Sequence, residues 1–126
     1  MLHHLTIGVE ELARSAAFYD AVLSPLGYGR IWTEDTGIGY GRPGGGEKFA
    51  IELRPGAGAA GGPGLHVAFS APSREALARF HSAALAHGGR DNDSPGMYHE
   101  HDEHYYPAYA FDPDGNSVEA VFTDDV

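Results

Sequence analysis

Four polar side chains interrupt apolar, strand-like segments of the chain. His4 opens His4-Leu5-Thr6-Ile7-Gly8-Val9 and His66 stands in Leu65-His66-Val67-Ala68-Phe69, while Glu52 and Glu119 stand in Ala50-Ile51-Glu52-Leu53 and Ser117-Val118-Glu119-Ala120-Val121-Phe122. An ionised carboxylate buried without a partner is strongly destabilising, so each glutamate needs compensation. Two imidazoles and two carboxylates form a nitrogen and oxygen donor set for a divalent metal ion such as Zn, Ni, Co, Mn or Fe, and no cysteine is present to narrow the choice. Singly, each residue has a plainer use: a histidine satisfied by hydrogen bonds, Glu52 paired with Arg54 or Arg42 at a sheet edge, Glu119 facing solvent. Their recurrence in two similar settings points to a shared ion.

The elements that must position them follow from periodicity and turn residues. After the strand from His4 to Val9, Leu12, Ala16, Tyr19, Val22 and Leu23 recur at helical spacing, and Pro25 with Gly27 ends the helix. Tyr28 to Glu34, Gly37 to Gly41 and Phe49 to Leu53 are three short strand candidates separated by turn formers. Between Pro55 and Gly64 the chain is almost wholly Gly, Ala and Pro, which predicts a linker. The pattern then restarts: a strand from Leu65 to Phe69, Ser73 as N-cap of a helix carrying Leu77, Phe80, Ala84 and Leu85 on one face, and a stop at Gly88-Gly89. A polar segment from Asp91 to His104 leads to a strand from Tyr105 to Asp112, the turn Asp112-Pro113-Asp114-Gly115-Asn116, and the last strand.

The chain aligns with itself. His4-Leu5-Thr6-Ile7 matches His66-Val67-Ala68-Phe69, Phe18-Tyr19 matches Phe80-His81, Gly29-Arg30 matches Gly89-Arg90, and Ala50-Ile51-Glu52-Leu53 matches Ser117-Val118-Glu119-Ala120. This predicts an α+β chain of two tandem β-α-β-β-β modules, with module one at about 1–54, a linker at 55–64 and module two at about 65–126. At 126 residues one domain is expected. A formal charge of -10 opposes a phosphate backbone, so no nucleic acid is expected as a partner. Small neutral or cationic ligands, or anions caught by a few local arginines, stay open as partners. No apolar run approaches the ~18 residues of a membrane span, and the N-terminus lacks a signal-peptide profile, so a cytoplasmic protein is expected.

These residues resemble the vicinal oxygen chelate superfamily, which includes glyoxalase I, bleomycin-resistance proteins and extradiol dioxygenases. The likeness rests on His4, Ser15-Ala16-Ala17-Phe18-Tyr19, Gly64-Leu65-His66-Val67-Ala68-Phe69 and Asp112-Pro113-Asp114-Gly115-Asn116-Ser117-Val118-Glu119. It implies that the modules curl into an open, incompletely closed barrel with a metal in the cleft, often completed across a homodimer. It places His4, Glu52, His66 and Glu119 as ligands, and Glu119, or else Glu52, as the base for a substrate with vicinal oxygens that passes through an enediolate-type anion.

Three functions are compatible with the resemblance. One is a metal-dependent isomerase or lyase of the glyoxalase I type, for which Arg14, Arg30, Arg42 and Arg90 could clamp a carboxylate. Another is a non-catalytic small-molecule (antibiotic) binding protein of the bleomycin-resistance type, whose groove Trp32, Tyr40, Tyr105, Tyr106 and Tyr109 could line. A third is an iron-dependent ring-cleaving dioxygenase using His4, His66 and Glu119 as a facial triad. Tyr98-His99-Glu100-His101-Asp102-Glu103-His104 has no recognised ligand spacing and reads as a solvated lid over the cleft, with His104 or Tyr106 as spare acid, base or ligand.

Overall fold

Ile7 and Val9 alternate with polar or small neighbours, as do Ile38, Tyr40, Phe49 and Ile51, so these side chains form the buried core face of the first half. Val67, Ala110, Val118 and Ala120 do the same in the second half. The computed structural model describes residues 1–56, 58, 64–92 and 104–124. In chain order these form β1 (Leu5–Val9), α1 (Leu12–Leu23), a 3₁₀ turn (Ser24–Leu26), β2 (Gly29–Glu34), β3 (Gly37–Gly41), β4 (Phe49–Leu53), β5 (His66–Ser70), α2 (Arg74–Ala86), β6 (Arg90–Asp91), β7 (Tyr105–Phe111) and β8 (Ser117–Thr123).

The strands make two four-stranded sheets, ordered β1-β4-β3-β2 and β5-β8-β7-β6, and neither closes into a barrel. In each, the first and last strands of the half run parallel, Leu5 opposite Phe49 and His66 opposite Ser117, and the remaining pairs are antiparallel. β1 and β5 therefore lie at sheet edges. The two-residue β6, where Arg90 faces Phe111 and Asp91 faces Ala110, completes the second β-α-β-β-β unit at the very start of the polar segment, as the match of Gly89-Arg90 to Gly29-Arg30 predicts.

α1 and α2 pack on each other, α1 against β4 and α2 against β7 and β8. Phe18, Tyr19, Val22 and Leu23 of α1 meet Ala76, Leu77, Phe80 and Ala84 of α2 in one core. Ser73 caps α2, its side chain accepting from the Ala76 amide at 3.1 Å. Beyond α1, Gly27 adopts φ 93, and its amide donates to Ser24 O at 3.0 Å; a side chain would resist this left-handed conformation. Gly89 is required for a different reason: a Cβ there would sit 2.6 Å from Phe111 O and from a Phe18 ring carbon.

The turn before β8 ties the halves together. Asp112 Oδ2 accepts from Tyr19 Oη at 2.6 Å and Asn116 Nδ2 at 2.8 Å, while Oδ1 accepts from the amides of Asp114 and Asn116, both at 2.9 Å. Asp114 in turn accepts from Arg14 at 2.5 Å and from the Glu10 amide at 3.1 Å. The Asp-Pro-Asp-Gly-Asn turn is thus a buried joint to α1 as well as a chain reversal.

Candidate functional site

Register decides which side chains share a face. His66 lies opposite Ser117, Ala68 opposite Glu119, and Tyr109 opposite Glu119, so these residues share the face turned away from the helices. There the His66 Nε2 lies 2.7 Å from Glu119 Oε1, and its Nδ1 lies 2.7 Å from Ser117 Oγ. Asn92 Nδ2 donates to the same Ser117 Oγ at 3.1 Å, and Tyr105 Oη donates to Glu119 Oε2 at 2.5 Å. Glu119 is only 2% exposed, whereas the His66 side chain is 35% exposed. Burial, and next the Glu119 charge, push the Tyr109 hydroxyl above its ordinary pKa. The result is a buried carboxylate beside an accessible imidazole, one oxygen and one nitrogen donor with their orientation fixed by Tyr105 and Ser117.

The first half presents a different surface. His4 immediately precedes β1, with Nε2 3.7 Å from Glu47 Oε2 and Nδ1 2.8 Å from His3 Nδ1. Glu47 also accepts from Trp32 Nε1 at 2.5 Å. The Trp32 indole covers Gly37 and Gly39, and a Cβ at Gly39 would overlap its ring nitrogen. Glu52, opposite Gly8 and Gly37, pairs with Arg54 at 3.0 Å and keeps a half-exposed side chain.

The structure brings His66 and Glu119 together, while His4 meets Glu47 and Glu52 meets Arg54. Among the described residues no three His, Cys, Asp or Glu side chains gather as an ion site. The module register also refines the internal alignment. Each helix starts at the same distance from its histidine, Leu12 after His4 and Arg74 after His66. With these histidines equated, the pairing of Thr6 with Ala50 and Ala68 with Glu119 makes Ala50 the counterpart of Glu119. Glu52, opposite Gly8, corresponds to Val121, opposite Ser70. A two-residue slip keeps a side chain on the same face, so alternation alone could not register it.

Other candidates divide similarly. Tyr40 is buried with its hydroxyl on Asp20 at 2.8 Å, and Tyr106 stacks on Phe122 beneath Arg74, so both face the helices instead of an outer groove. Trp32, Tyr105 and Tyr109 do lie on outer faces. Arg14 and Arg30 are engaged by Asp114 and Asp20, and Arg90 lies over the Phe111 ring. His104 is bonded to Asp124 at 2.8 Å, while Tyr98 to Glu103 fall outside the described residues. Glu47, Ser117 and Asn92 were not singled out by sequence; Glu47 follows three glycines and has no strand periodicity to mark it.

No helix among the described residues is long and apolar enough to cross a membrane. No curated protein matches the chain. A crystal structure of a glyoxalase/bleomycin resistance protein from Albidiferax ferrireducens is similar, at 35% identity and TM-score 0.80, covering 96% of this chain and 98% of that one. A glyoxalase/bleomycin resistance protein/dioxygenase family enzyme from Burkholderia phytofirmans, at 17% identity and TM-score 0.68, covers 94% of each chain. Fosfomycin resistance protein FosX from Listeria monocytogenes shares the fold at 18% identity and TM-score 0.66, covering 100% of this chain and 93% of that one. The family model for the Glyoxalase/Bleomycin resistance protein/Dioxygenase superfamily matches residues 1–120, and the chain belongs to that superfamily.

Proposed function

We propose that this protein is a metal-dependent lyase or isomerase of the glyoxalase type, acting on a small molecule with vicinal oxygens. The observation that carries the reading is Glu119, a carboxylate 2% exposed on an outer sheet face with His66 at 2.7 Å. Their donors suit a borderline divalent ion, and Ser117 holding the second imidazole nitrogen is the kind of outer contact that orients a ligand. Because α1 and α2 pack together between the sheets, the outer faces of the two halves turn away from each other. A homodimer is therefore part of the proposal, with His4 of the partner subunit joining His66 and Glu119.

A bound ion would supply Lewis-acid stabilisation of negative charge on a substrate oxygen. Glu119, being the carboxylate on that face, takes the proton from the substrate carbon beside the carbonyl, the C–H electron pair passing to the carbonyl oxygen, while the Tyr105 hydroxyl at 2.5 Å steadies the second Glu119 oxygen. Tyr109 beside it stays protonated through burial and the Glu119 charge. Glu52, on the corresponding outer face of β4, is the second acid-base candidate, two residues beyond the position equivalent to Glu119.

A non-catalytic small-molecule binding protein is the second reading, favoured by the aromatic surfaces of Trp32 and Tyr109 on the outer faces of the two halves. Elemental analysis and thermal melts with Zn, Ni, Co, Mn or Fe separate the two. The enzyme reading expects stoichiometric metal and a rise in Tm, both lost in His66→Ala and Glu119→Gln, with a dimer in sedimentation. Wild-type protein that binds none of these ions and melts unchanged in their presence is a binding protein. Metal-dependent oxygen uptake with a catechol would instead mark the same donors as a dioxygenase triad.

A further inference from the structure

A cavity of about 450 Å³ opens between the two halves beside their edge strands β1 and β5, where Ala68 and His4 reach its rim and core-side residues form its walls. Its walls are Leu5, Leu23, Tyr40, Phe49, Val67 and Phe69. All of these belong to the core or pack against it, apart from Val67, which is itself buried. Packed interiors leave few voids larger than a water molecule, and this volume falls in the ~300–1,000 Å³ range of small-molecule sites.

Charge at the mouth narrows the guest. Arg42 and Lys48 both line the opening, in a chain with only 8 Lys and Arg against 18 Asp and Glu. Neither takes part in an ion pair among the described residues. The Arg42 guanidinium lies 5.2 Å above the Tyr28 ring, whose hydroxyl is anchored to Ser70 O at 2.9 Å, so one cation is held at the rim. A neutral apolar guest has no use for two unpaired cations, and a cationic guest is repelled by them.

We infer that this cavity is a binding site for a small amphipathic organic anion, its aliphatic or aryl body between the halves and its carboxylate on Arg42 and Lys48. Only His4, which also lines the mouth, is shared with the proposed ion site.

Calorimetric titration of the intact protein with octanoate tests this, with octylamine as the comparator of equal chain length and opposite charge. One octanoate per chain is expected, with no matching octylamine binding. Arg42→Gln and Lys48→Gln should each weaken octanoate roughly tenfold or more, the scale of a lost charge-assisted contact, with the ligand-free Tm unchanged in Lys48→Gln and lowered only slightly in Arg42→Gln, which also gives up its place over the Tyr28 ring. Octanoate binding should survive in Glu119→Gln, which separates this site from the ion site. Octylamine binding as tightly as octanoate, or undiminished octanoate binding in the double variant, overturns the inference. So does a dimer that takes up no octanoate, since a second copy then fills the space.

Discussion

Tyr19→Phe removes one atom from the buried joint between the halves. Tyr19 is fully buried on α1, and Asp112 is 2% exposed in the turn before β8, so their 2.6 Å hydrogen bond is shielded from water. The substitution deletes a charge-assisted bond yet leaves Asp112 with three donors, from Asp114 N, Asn116 N and Asn116 Nδ2. The expected loss is about 1.5–3 kcal/mol. For a chain of this size, at roughly 4 °C per kcal/mol, that lowers Tm by roughly 6–12 °C. Asp112→Ala should cost more, about 3–5 kcal/mol, because it strands all four donors, including the Tyr19 hydroxyl. Urea unfolding monitored by circular dichroism is the assay, with a lower midpoint and an unchanged slope. A double-mutant cycle with Asp112→Asn should return a coupling of about 1 kcal/mol or more. If Tyr19→Phe lies within about 0.5 kcal/mol of wild type, the bond does not join the halves and the reasoning fails.

The Tyr40 hydroxyl is held above the ordinary tyrosine value by burial first, then by its bond to the Asp20 carboxylate. Its contribution is therefore full below about pH 10, the unfolded value, and is lost as pH rises toward the folded one, so the stability gap between wild type and Tyr40→Phe should narrow from pH 9 to pH 11 in urea titrations; a constant gap contradicts the assignment. Gly39→Ala places a methyl group in the Trp32 indole and should destabilise by about 1–3 kcal/mol, whereas Gly29→Ala, with nothing within 4 Å of a new Cβ, should lie near wild type. Equal unfolding midpoints for the two would show that Trp32 does not rest on β3.

Legibility in the sequence tracked the strength of local pattern. α1 at Leu12–Leu23, β3 at Gly37–Gly41 and β4 at Phe49–Leu53 have the bounds that apolar spacing and turn residues indicate. β6 consists of two exposed charged residues whose partner is supplied by β7, so it has no periodicity of its own, and only the match of Gly89-Arg90 to Gly29-Arg30 in the repeat points to it. His66 and Glu119 stood out as polar residues in apolar strands, and the fold places them in contact. Glu52 stood out for the same reason, yet its carboxylate meets Arg54, and only strand pairing reveals that Ala50 holds the matching position. Glu47 lies in a glycine-rich loop, where no periodicity forecasts its meeting with Trp32 and His4.

Trp32 is the only tryptophan in the chain, and its indole N–H points at a carboxylate that also lies beside His4. Its emission consequently reports on that carboxylate without any label. A ligand or ion that draws Glu47 away from the indole would change the polarity around the excited ring, turning a structural contact into an optical signal for events at the first half's outer face.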